Sequence, residues 1–574
     1  MAWPEWSLDR ILTERPGIRI NQHGYLPRRP KVATLVDARR DPLSFAVLDA
    51  SGRTVLTGRS QPWEPHPEPT SGLPVHLLDF GDVSLTGSGF RLVAGDARSH
   101  RFTIGDDLYA QLQVDALRFF TLMRSGTPIL EETLPGYARP AGHLGQPPNT
   151  GDTAVPAWTG PDAETLYPGW RCAGTFDVSG GWYDAGDYGK YVTSGAIALW
   201  QLLSTLELLD PASPRRRAAL IAEGRWQLDW LLRMQVPAGD GLAGMAFHRV
   251  HGTEWSPLPG WPHLDPTRRV LHRPSTGATL QLAAVTAQAA RLLTGHDRDY
   301  ADRLLAAARR AYAAAVEHPC LIAPDDHAQF GGGPYGDARL ADDWYWAATE
   351  LWLATGEEPF REAILRSPEH RDDPFPVTGF DYDQVSAPAR IDLALHGETL
   401  PDHDRVRDSV GRAADRLLAL QQDQPWGQPY APTDGWDWGS NGRILNNLVV
   451  LAVAHRLTGQ QPYDDAVVTG MDYLFGRNAL GQSYVTGYGT DDSRHQRTRQ
   501  FGHDLDPALP PPPPGALAGG ANSRPAPDFP YDQRLVGLPP QCCYLDEPTS
   551  EVTNDVCIRW NAPLVWLSVY LSDG

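Results

Sequence analysis

The sequence predicts a mainly α-helical protein whose helices close into an α/α toroid, preceded by a small β-sandwich. Hydrophobic residues recur near period two in short runs before Asp107, and at helical spacing in longer runs after it. A chain of 574 residues also exceeds one small core, so two or more structural units are expected. We place an N-terminal extension at 1–16, an immunoglobulin-like β-sandwich at 17–105 and the helical domain at 106–574.

The front segment contains short runs of nearly alternating hydrophobic residues, separated by turn residues. The runs begin at Ile18, Lys31, Ser44, Val75 and Gly89, and turn sequences such as Pro-Arg-Arg-Pro lie between them. Evenly spaced short strands with such turns are typical of a β-sandwich, and a count of about seven fits an immunoglobulin-like module.

The helical domain is predicted from apolar residues at positions i, i+3 and i+4. Such segments occupy 108–123, 194–209, 216–235, 277–294, 299–316, 340–355, 404–422, 441–458, 461–476 and 561–572. Several end near a glycine, at Gly295, Gly356 and Gly459, where a left-handed residue commonly stops a helix. The loops vary widely in length, which excludes a short solenoid repeat and favours paired helices in a closed toroid whose loops form a cleft.

The composition favours a neutral or cationic binding partner. The formal net charge is −20, and neither nucleic acid nor an anionic membrane attracts an acidic surface. The chain carries 19 Trp and 20 Tyr against 15 Phe, and amphipathic aromatic rings suit the face of a sugar. We therefore expect an oligosaccharide or polysaccharide partner, no nucleic acid and no membrane; nothing in the sequence indicates an oligomeric state.

The cysteine pattern and the first residues bear on the cellular compartment. The 5 cysteines lack Cys-x-x-Cys spacing and form neither a disulfide framework nor a zinc ribbon. The start, MAWPEWSLDRILTERPG, lacks the basic and apolar regions of a signal peptide, and no apolar run is long enough for a membrane span. The chain as given is expected to be cytoplasmic, whereas a leader removed earlier would make it a secreted protein.

A turn rich in glycine and aromatic residues carries the main candidates for chemistry. Asp184 and Asp187 lie in it, directly before a long apolar helix. Helix capping and calcium binding are the structural alternatives for such carboxylates. If one of them activates water, inverting glycoside hydrolysis needs a second carboxylic acid roughly 6.5–9.5 Å away. A C-terminal stretch supplies Glu551 and Asp555 as candidates for that acid.

The same turn carries a family resemblance. Its sequence, DVSGGWYDAGDYGKYV, resembles the signature of glycoside hydrolase family 9, the cellulase family with an (α/α)6 barrel. The front sequence INQHGYLPRRPKVATLV is similar to the immunoglobulin-like domain that precedes the barrel in one branch of that family. Further motifs follow in the family's order: ARPAGHLG at 138–145, WGSNGRILNNL at 438–448, DYLFGRNALGQSYVTGYG at 472–489 and NDVCIRWNAPLVW at 554–566. The resemblance implies an (α/α)6 barrel after the sandwich.

The resemblance also implies catalytic roles. Asp187 matches the family's general base, and Asp184 matches the companion that helps to hold the water. The family's acid is a Glu between Asn and Val, and this chain has Asp555 there. The shorter side chain sets its carboxyl group back by about 1.5 Å, and a misplacement of that size can cost roughly 100-fold in rate. Asp555 is the preferred acid, with Glu551 as the substitute acid or as a counter-charge for a cationic sugar.

Several substrate contacts follow from the resemblance. Tyr488, in the Thr-Gly-Tyr-Gly turn, is one expected contact. The family pattern after this turn has two histidines and an arginine; here Arg499 matches and both histidines are absent. Arg497 stands in the place of the first histidine. His248 resembles a subsite histidine, and Trp560 matches an aromatic residue beside the cleft.

The resemblance implies no cofactor for catalysis. The branch with an immunoglobulin-like domain often has a zinc site near ARPAGH, for which His143 and Cys172 remain as ligands. The family's other cysteine positions hold alanine here, and structural zinc needs four ligands, so we expect this site to be degraded or absent. Structural calcium is expected on carboxylate loops such as 325–326 or 342–343.

These observations lead to one expected function and two alternatives. The expected function is an inverting hydrolase of β-1,4-glucans or cello-oligosaccharides, with Asp187 as base and Asp555 as acid. The first alternative is an exo-β-glucosaminidase acting on chitosan oligosaccharides, in which Glu551 attracts an ammonium group. The second is a carbohydrate-binding protein that has lost catalysis, motivated by the altered acid and the missing histidines.

Overall fold

The front of the molecule is a sandwich of two antiparallel sheets. The computed structural model describes residues 7–160, 163–210, 213–239, 241–324, 331–333, 335–526 and 529–573. The sandwich strands are β1 Ile18–Arg19, β2 Val32–Val36, β3 Ser44–Leu48, β4 Thr54–Arg59, β5 Gln61–Pro62, β6 Val75–Asp79, β7 Gly87–Ala94, β8 Ala97–Arg98 and β9 Phe102–Ile104. One sheet has the order β1-β2-β6-β5; the other has the order β4-β3-β7-β8, with β9 also paired to β7. Alternate residues of β7 (Phe90, Leu92 and Ala94) are buried between the sheets, as period-two patterning requires.

The rest of the chain is dominated by helices. In chain order they are α1 Leu8–Glu14, α2 Ala110–Leu122, α3 Ala163–Leu166, α4 Val192–Ser204, α5 Pro214–Met234, α6 Thr276–Leu293, α7 Arg298–Glu317, α8 Ala341–Thr355, α9 Glu358–Arg366, α10 Pro368–Arg371, α11 Ser386–His396, α12 His403–Gln422, α13 Ser440–Thr458, α14 Gln461–Leu474, α15 Glu551–Asn554 and α16 Ile558–Asp573. Short 3₁₀ turns occur at Thr205–Glu207, Gln533–Leu535 and Pro540–Cys542.

The long helices form a double ring. The inner ring closes through the contacts α4–α6, α6–α8, α8–α11, α11–α13, α13–α16 and α16–α4. Each inner helix also packs on an outer helix, in the pairs α4–α5, α6–α7, α8–α9, α11–α12, α13–α14 and α16–α2. Every residue of α4 is buried, whereas α7 buries only one face, as expected for an inner and an outer helix of a double ring. The architecture is the expected (α/α)6 barrel preceded by an immunoglobulin-like sandwich.

The loops that lead into the inner helices contain the remaining short strands. These are β10 Val155–Pro156, β11 Thr175–Phe176, β12 Lys190–Tyr191, β13 Ala246–Phe247, β14 Arg249–Gly252, β15 Arg269–Leu271 and β16 Pro274–Ser275. β12, β14 and β15 form an antiparallel sheet beside the start of α4. Small sheets of this kind fix the loops at one end of the barrel.

Several details differ from the sequence patterns, and three of them have a clear physical reason or position. β4 was not predicted, because its residues are only partly buried and alternate weakly. α11 was not predicted, because the buried polar residues Arg390 and Asp392 interrupt its apolar run. The last helix begins at Ile558, before the predicted 561, and Pro563 lies inside it. No described helix combines the length and the apolar character that crossing a bilayer requires.

Among other contacts, the sandwich binds the barrel at the end of α14 and at the loop that follows this helix. The side-chain amide of Asn21 donates to Oδ1 of Asp472 at 2.8 Å. The side-chain oxygen of Gln22 accepts the backbone N–H groups of Thr490 at 2.9 Å and Asp491 at 2.8 Å. These hydrogen bonds fix the loop after α14 to the edge of the sandwich.

Candidate active site

A cleft of about 410 Å³ opens where the inner helices begin. Most of its lining residues directly precede or start the inner helices α4, α8, α11, α13 and α16. The lining consists of Asp184, Ala185, Gly186, Asp187, Tyr191, Trp255, Gly333, Tyr335, Tyr382, Trp438, Arg497, Arg499, Ala526, Phe529, Glu551, Asp555, Cys557, Arg559 and Trp560. The cleft therefore brings together all four candidate carboxylates from two distant parts of the chain.

The turn before α4 is held rigidly from behind. The indole N–H of Trp182 donates to Oε1 of Glu223 at 2.8 Å. Gly181 has a φ of 73°, and a Cβ there would lie 2.6 Å from the Trp230 ring, so the backbone can pass only because this residue is glycine. The turn thus presents its carboxylates to the cleft from a fixed base.

Asp184 lies at the bottom of the cleft and is 1% exposed. Its Oδ1 accepts the hydroxyl of Ser194, and its Oδ2 accepts the hydroxyl of Tyr335 at 2.6 Å. The Cys557 thiol lies 3.6 Å from the same Oδ2. Burial raises the pKa of Asp184, and the Arg559 guanidinium and these hydrogen bonds oppose that rise.

Asp187 stands nearer to solvent. It is half-buried, and its Oδ2 accepts the backbone N–H of Gly189 at 3.0 Å. An ionised carboxylate with access to the cleft can accept a proton from water. Asp187 therefore has the access to the cleft that a base requires, and Asp184 lies deeper in the same turn.

Asp555 faces this turn from the start of α16. Its Oδ1 accepts two backbone hydrogen bonds, from the N–H of Gly186 at 3.1 Å and from the N–H of the next residue, Val556, at 2.9 Å. Loss of hydration among the surrounding protein atoms raises the pKa of Asp555 well above its ordinary range. Repulsion from the charges of Glu551 and Asp187 raises this pKa further. Both effects favour the protonated form, which is the form that an acid catalyst needs.

The backbone also fixes the position of the shorter acid. The N–H of Arg497 donates to the carbonyl of Asn554 at 2.9 Å, and the N–H of Gly519 donates to the carbonyl of Asp555 at 2.8 Å. The backbone on both sides of the Asp555 side chain is thus held by neighbouring segments, and in this position its carboxyl group reaches the Gly186 amide.

Two arginines line the cleft beside these acids. Nη2 of Arg497 lies 3.1 Å from Oε2 of Glu551, and each side chain is 17% exposed. Arg499 donates from Nε to the carbonyl of Ser256 at 2.9 Å and from Nη1 to the carbonyl of Gly186 at 3.1 Å. The charge of Glu551 is thus already balanced by Arg497.

Half-buried aromatic rings form the apolar walls. The rings of Trp438 and Phe529 meet edge to face at 4.8 Å, and those of Trp255 and Phe529 are 6.2 Å apart. Trp560 lines the cleft as well. Flat rings with exposed faces are suited to stacking on pyranose rings.

Two predicted substrate contacts are absent from this lining. His248 is buried; its Nδ1 is bonded to Ser275 at 2.9 Å and its Nε2 to the carbonyl of Tyr335 at 3.0 Å, and burial lowers its pKa to about 3. The hydroxyl of Tyr488 donates to Asp115 at 2.7 Å in a buried contact. His248 therefore supports the cleft from behind, whereas Tyr488 belongs to the core.

Sequence reasoning missed three residues that contact or approach Asp184. Tyr335 follows a glycine-rich segment and has a φ of 45°, a conformation rare outside glycine. Cys557 and Arg559 lie two and four residues after Asp555, inside a motif that had already been singled out. Their positions two and four residues after Asp555 could have identified Cys557 and Arg559 as neighbours of the site. No sequence pattern identified Tyr335.

The expected metal positions differ in their fit. Both ring nitrogens of His143 are engaged, Nδ1 with Tyr183 at 2.7 Å and Nε2 with Asp265 at 3.1 Å, so this histidine does not fit a zinc ion. Asp342 and Asp343 each have one buried carboxylate oxygen without a hydrogen-bond partner, as suits a hard cation. The other expected calcium position, 325–326, lies outside the described residues.

One further group of metal-ligand type occurs among the described residues. Ligand atoms of Glu207, Asp392 and His396 lie within 4.8 Å of one another at the far end of the barrel. Nη1 of Arg291 is 3.3 Å from Oε1 of Glu207, and Nε2 of His396 is 2.9 Å from that same oxygen. A guanidinium already supplies positive charge there, so the group is an ion-pair network.

Comparison with known proteins agrees with this geometry. The family profile described as Glycosyl hydrolase family 9 matches residues 109–568, and the Cellulase N-terminal ig-like domain matches residues 13–99. The chain is 47% identical over 577 residues to Endoglucanase C of Cellulomonas fimi, covering 97% of this chain and 52% of that protein. It thus spans about half the length of that relative.

Two further comparisons cover nearly the whole chain. Cellulose 1,4-beta-cellobiosidase of Acetivibrio thermocellus is 36% identical over 619 residues, which cover 97% of this chain and 67% of that protein. The solved structure of AaCel9A in complex with cellobiose-like isofagomine superposes with a TM-score of 0.83 at 28% identity, covering 97% of this chain and 100% of that one.

Proposed function

The chain belongs to glycosyl hydrolase family 9, and we propose that it hydrolyses β-1,4-glucosidic bonds of cellulose-type glucans or cello-oligosaccharides with inversion. The relatives named endoglucanase and cellobiosidase support this substrate class. The observation that carries the proposal is the pairing of a half-exposed carboxylate, Asp187, with a carboxyl group of raised pKa, Asp555, across one cleft.

The proposed mechanism assigns one step to each carboxyl group. A water molecule held by Asp184 and Asp187 attacks the anomeric carbon, and Asp187 takes its proton. As the glycosidic bond breaks, Asp555 donates its proton to the departing oxygen. Both proton transfers occur in one displacement, so the configuration at the anomeric carbon is inverted.

The contacts of Asp555 suit the role of acid. Its Oδ1 is occupied by two backbone N–H groups, from Gly186 and Val556. A proton on this carboxyl group therefore resides on Oδ2, since Oδ1 already accepts two hydrogen bonds. The acid proton is thereby confined to one oxygen.

The alternatives have less support. An ammonium-bearing sugar would need an unpaired carboxylate, but Glu551 is paired with Arg497. A binding protein without catalysis would not require the acid to be held against the base turn, as the Gly186–Asp555 hydrogen bond holds it. Neither alternative is favoured by a specific contact in the cleft.

Product analysis tests the proposal directly. Incubation with cellotetraose and, separately, with chitosan tetramer should release reducing sugar only from the glucan, and NMR of the first product should show the α-anomer. Asp187→Asn should abolish this release while leaving the thermal melting temperature nearly unchanged. Full activity of Asp187→Asn, or hydrolysis of the chitosan tetramer alone, would refute the proposal.

We also propose that Asp342 and Asp343 hold a structural calcium ion. Burial raises the pKa of both, to about 6 for Asp342, and the charges of Asp342 and Asp337 raise the pKa of Asp343 further. Oδ2 of the nearby Asp337 is a third buried oxygen without a partner. A calcium ion would satisfy these oxygens and remove the repulsion at the start of α8.

A further inference from the structure

Arg559 is the central residue of a hydrogen-bond network at the floor of the cleft. Its Nε donates to Oδ1 of Asp381 at 2.9 Å, and its Nη1 lies 2.8 Å from the Tyr335 hydroxyl and 3.0 Å from Sγ of Cys557. The guanidinium also lies 5.1–5.2 Å from the ring centres of Tyr335, Tyr382 and Trp560. Anchored by an acid and surrounded by aromatic rings, this side chain has a single orientation.

The orientation of Arg559 decides where two other protons point. A tyrosine hydroxyl has one hydrogen to donate, and an arginine can only donate. Because Arg559 donates to the oxygen of Tyr335, the hydroxyl hydrogen is left for Oδ2 of Asp184, which lies 2.6 Å away. The same reasoning applies to the Cys557 thiol, which accepts from Arg559 and lies 3.6 Å from that Oδ2.

The charge of Arg559 acts on Asp184 as well. Burial raises the pKa of Asp184, and the opposing influence of Arg559 is larger than that of either hydrogen-bonding hydroxyl. A buried carboxylate stays ionised only if nearby charge and donors compensate for lost hydration. The titratable groups that face Asp184 are Asp187, Tyr191, Tyr335, Cys557 and Arg559, and those around Arg559 also include Asp381, Tyr382 and Asp383.

We propose that Arg559 is a positioning residue, which directs the Tyr335 hydroxyl and the Cys557 thiol onto Asp184 and so holds this water-binding carboxylate ionised and in place. The inference rests on the proposed function, because it explains how the companion of the base is set. Arg559 lies four residues after Asp555. Its proposed role is to orient the hydrogen-bond donors of Asp184, and it neither gives nor takes a proton in the reaction.

Kinetics of two variants test this role. Arg559→Met should lower kcat on cellotetraose by about 100-fold with KM changed by less than about threefold, because transition-state geometry and not sugar binding is lost. The acid limb of its kcat/KM profile should move to higher pH, since Asp184 without the guanidinium is harder to ionise. Arg559→Lys keeps a charge but not the three-way donor geometry, so it should lose kcat while its acid limb moves less.

Arg443→Met is the matched control. Arg443 lies 3.8 Å from Asp381 but donates to the carbonyl of Gly379, and within the described part of the chain it makes no hydrogen bond to Tyr335 or Cys557. This variant should keep the kcat and the acid limb of the wild type even if its melting temperature falls. Loss of kcat in Arg443→Met equal to that in Arg559→Met would show that the effect is general to this charge cluster and would overturn the proposal.

A structural measurement separates this inference from the proposed function. In a crystal structure of Arg559→Met, or of Arg559→Lys if the first variant does not fold, the Tyr335 hydroxyl should have left Oδ2 of Asp184. A wild type inactive on glucans would contradict the proposed function and leave this structural result to decide. Wild-type kcat and pH profile in Arg559→Met, or an unchanged Tyr335–Asp184 hydrogen bond, would overturn the role of Arg559.

Discussion

The backbone amide of Gly186 donates a hydrogen bond to Oδ1 of Asp555 across 3.1 Å. This contact joins the turn that carries the base to the loop that carries the acid, although the two residues are 369 positions apart in sequence. It depends on the absence of a side chain, since a Cβ on Gly186 would lie 2.2 Å from the Arg497 carbonyl and 2.8 Å from Asp555. The spacing of the two carboxyl groups is thus set by one glycine.

Gly186→Ala should therefore reduce kcat by about 100-fold, because the acid loop must move away from the base. Gly295→Ala is the matched control, since a Cβ there meets nothing within 4 Å. Both proteins should be compared by kcat on cellotetraose and by thermal melting. Equal kcat in the two variants would show that the Gly186 contact does not set the geometry.

Glu551→Gln should move the alkaline limb of the pH profile to lower pH. The acid must be protonated, so activity falls as the pH rises through the pKa of Asp555. Glu551 raises that pKa and Arg497 lowers it. Removing Glu551 therefore moves the alkaline limb to lower pH, whereas Arg497→Gln should move it to higher pH. The two kcat/KM profiles should shift in opposite directions; shifts of the same sign would contradict this electrostatic account.

Asp555→Asn should lose about 100-fold to 10,000-fold in kcat on cellotetraose, because an amide cannot donate the proton that the departing oxygen needs. The loss should be much smaller on 2,4-dinitrophenyl cellobioside, whose leaving group departs without protonation. Asp187→Asn should be inactive on both substrates. An equally large loss on both substrates for Asp555→Asn would exclude this residue as the acid.

Calcium should raise the thermal melting temperature of protein first treated with EDTA, because an ion bound only by the folded chain stabilises it. Asp343→Asn should abolish the response. Magnesium serves as the control cation, since it fits an all-protein carboxylate site less well. No rise with calcium in the wild type would remove Asp342 and Asp343 as a calcium site.

Asp472→Asn should make stability less dependent on pH. Burial raises the pKa of Asp472 to about 7 in the folded chain, above its ordinary value of 3.8. The folded state therefore holds this proton more tightly, so its stabilising contribution is present at low pH and is lost as the pH rises through about 7. Urea unfolding at pH 5 and pH 8 should show a smaller fall for Asp472→Asn than for the wild type or for Asp465→Asn.

Sequence motifs and the spacing of apolar residues predicted the fold class and the positions of the candidate carboxylates. Apart from α11, the inner helices have apolar patterns strong enough to be found from the sequence, and the candidate carboxylates lie in motifs where short-range spacing carries the information. Tyr335 could not be found in this way, because it is 151 residues from Asp184 in sequence and only the fold brings the two side chains into contact. The burial of His248 and Tyr488 could not be predicted either, because a motif does not reveal which side chains point into the core.

The contact of Gln22 with the loop after α14 has a consequence for protein engineering. That loop continues directly to Arg497 and Arg499, so the sandwich braces a wall of the cleft that it does not touch. A version trimmed to the helical domain alone would retain every proposed catalytic side chain and yet lose the brace for these arginines. The smallest useful catalyst derived from this chain therefore includes its all-β module.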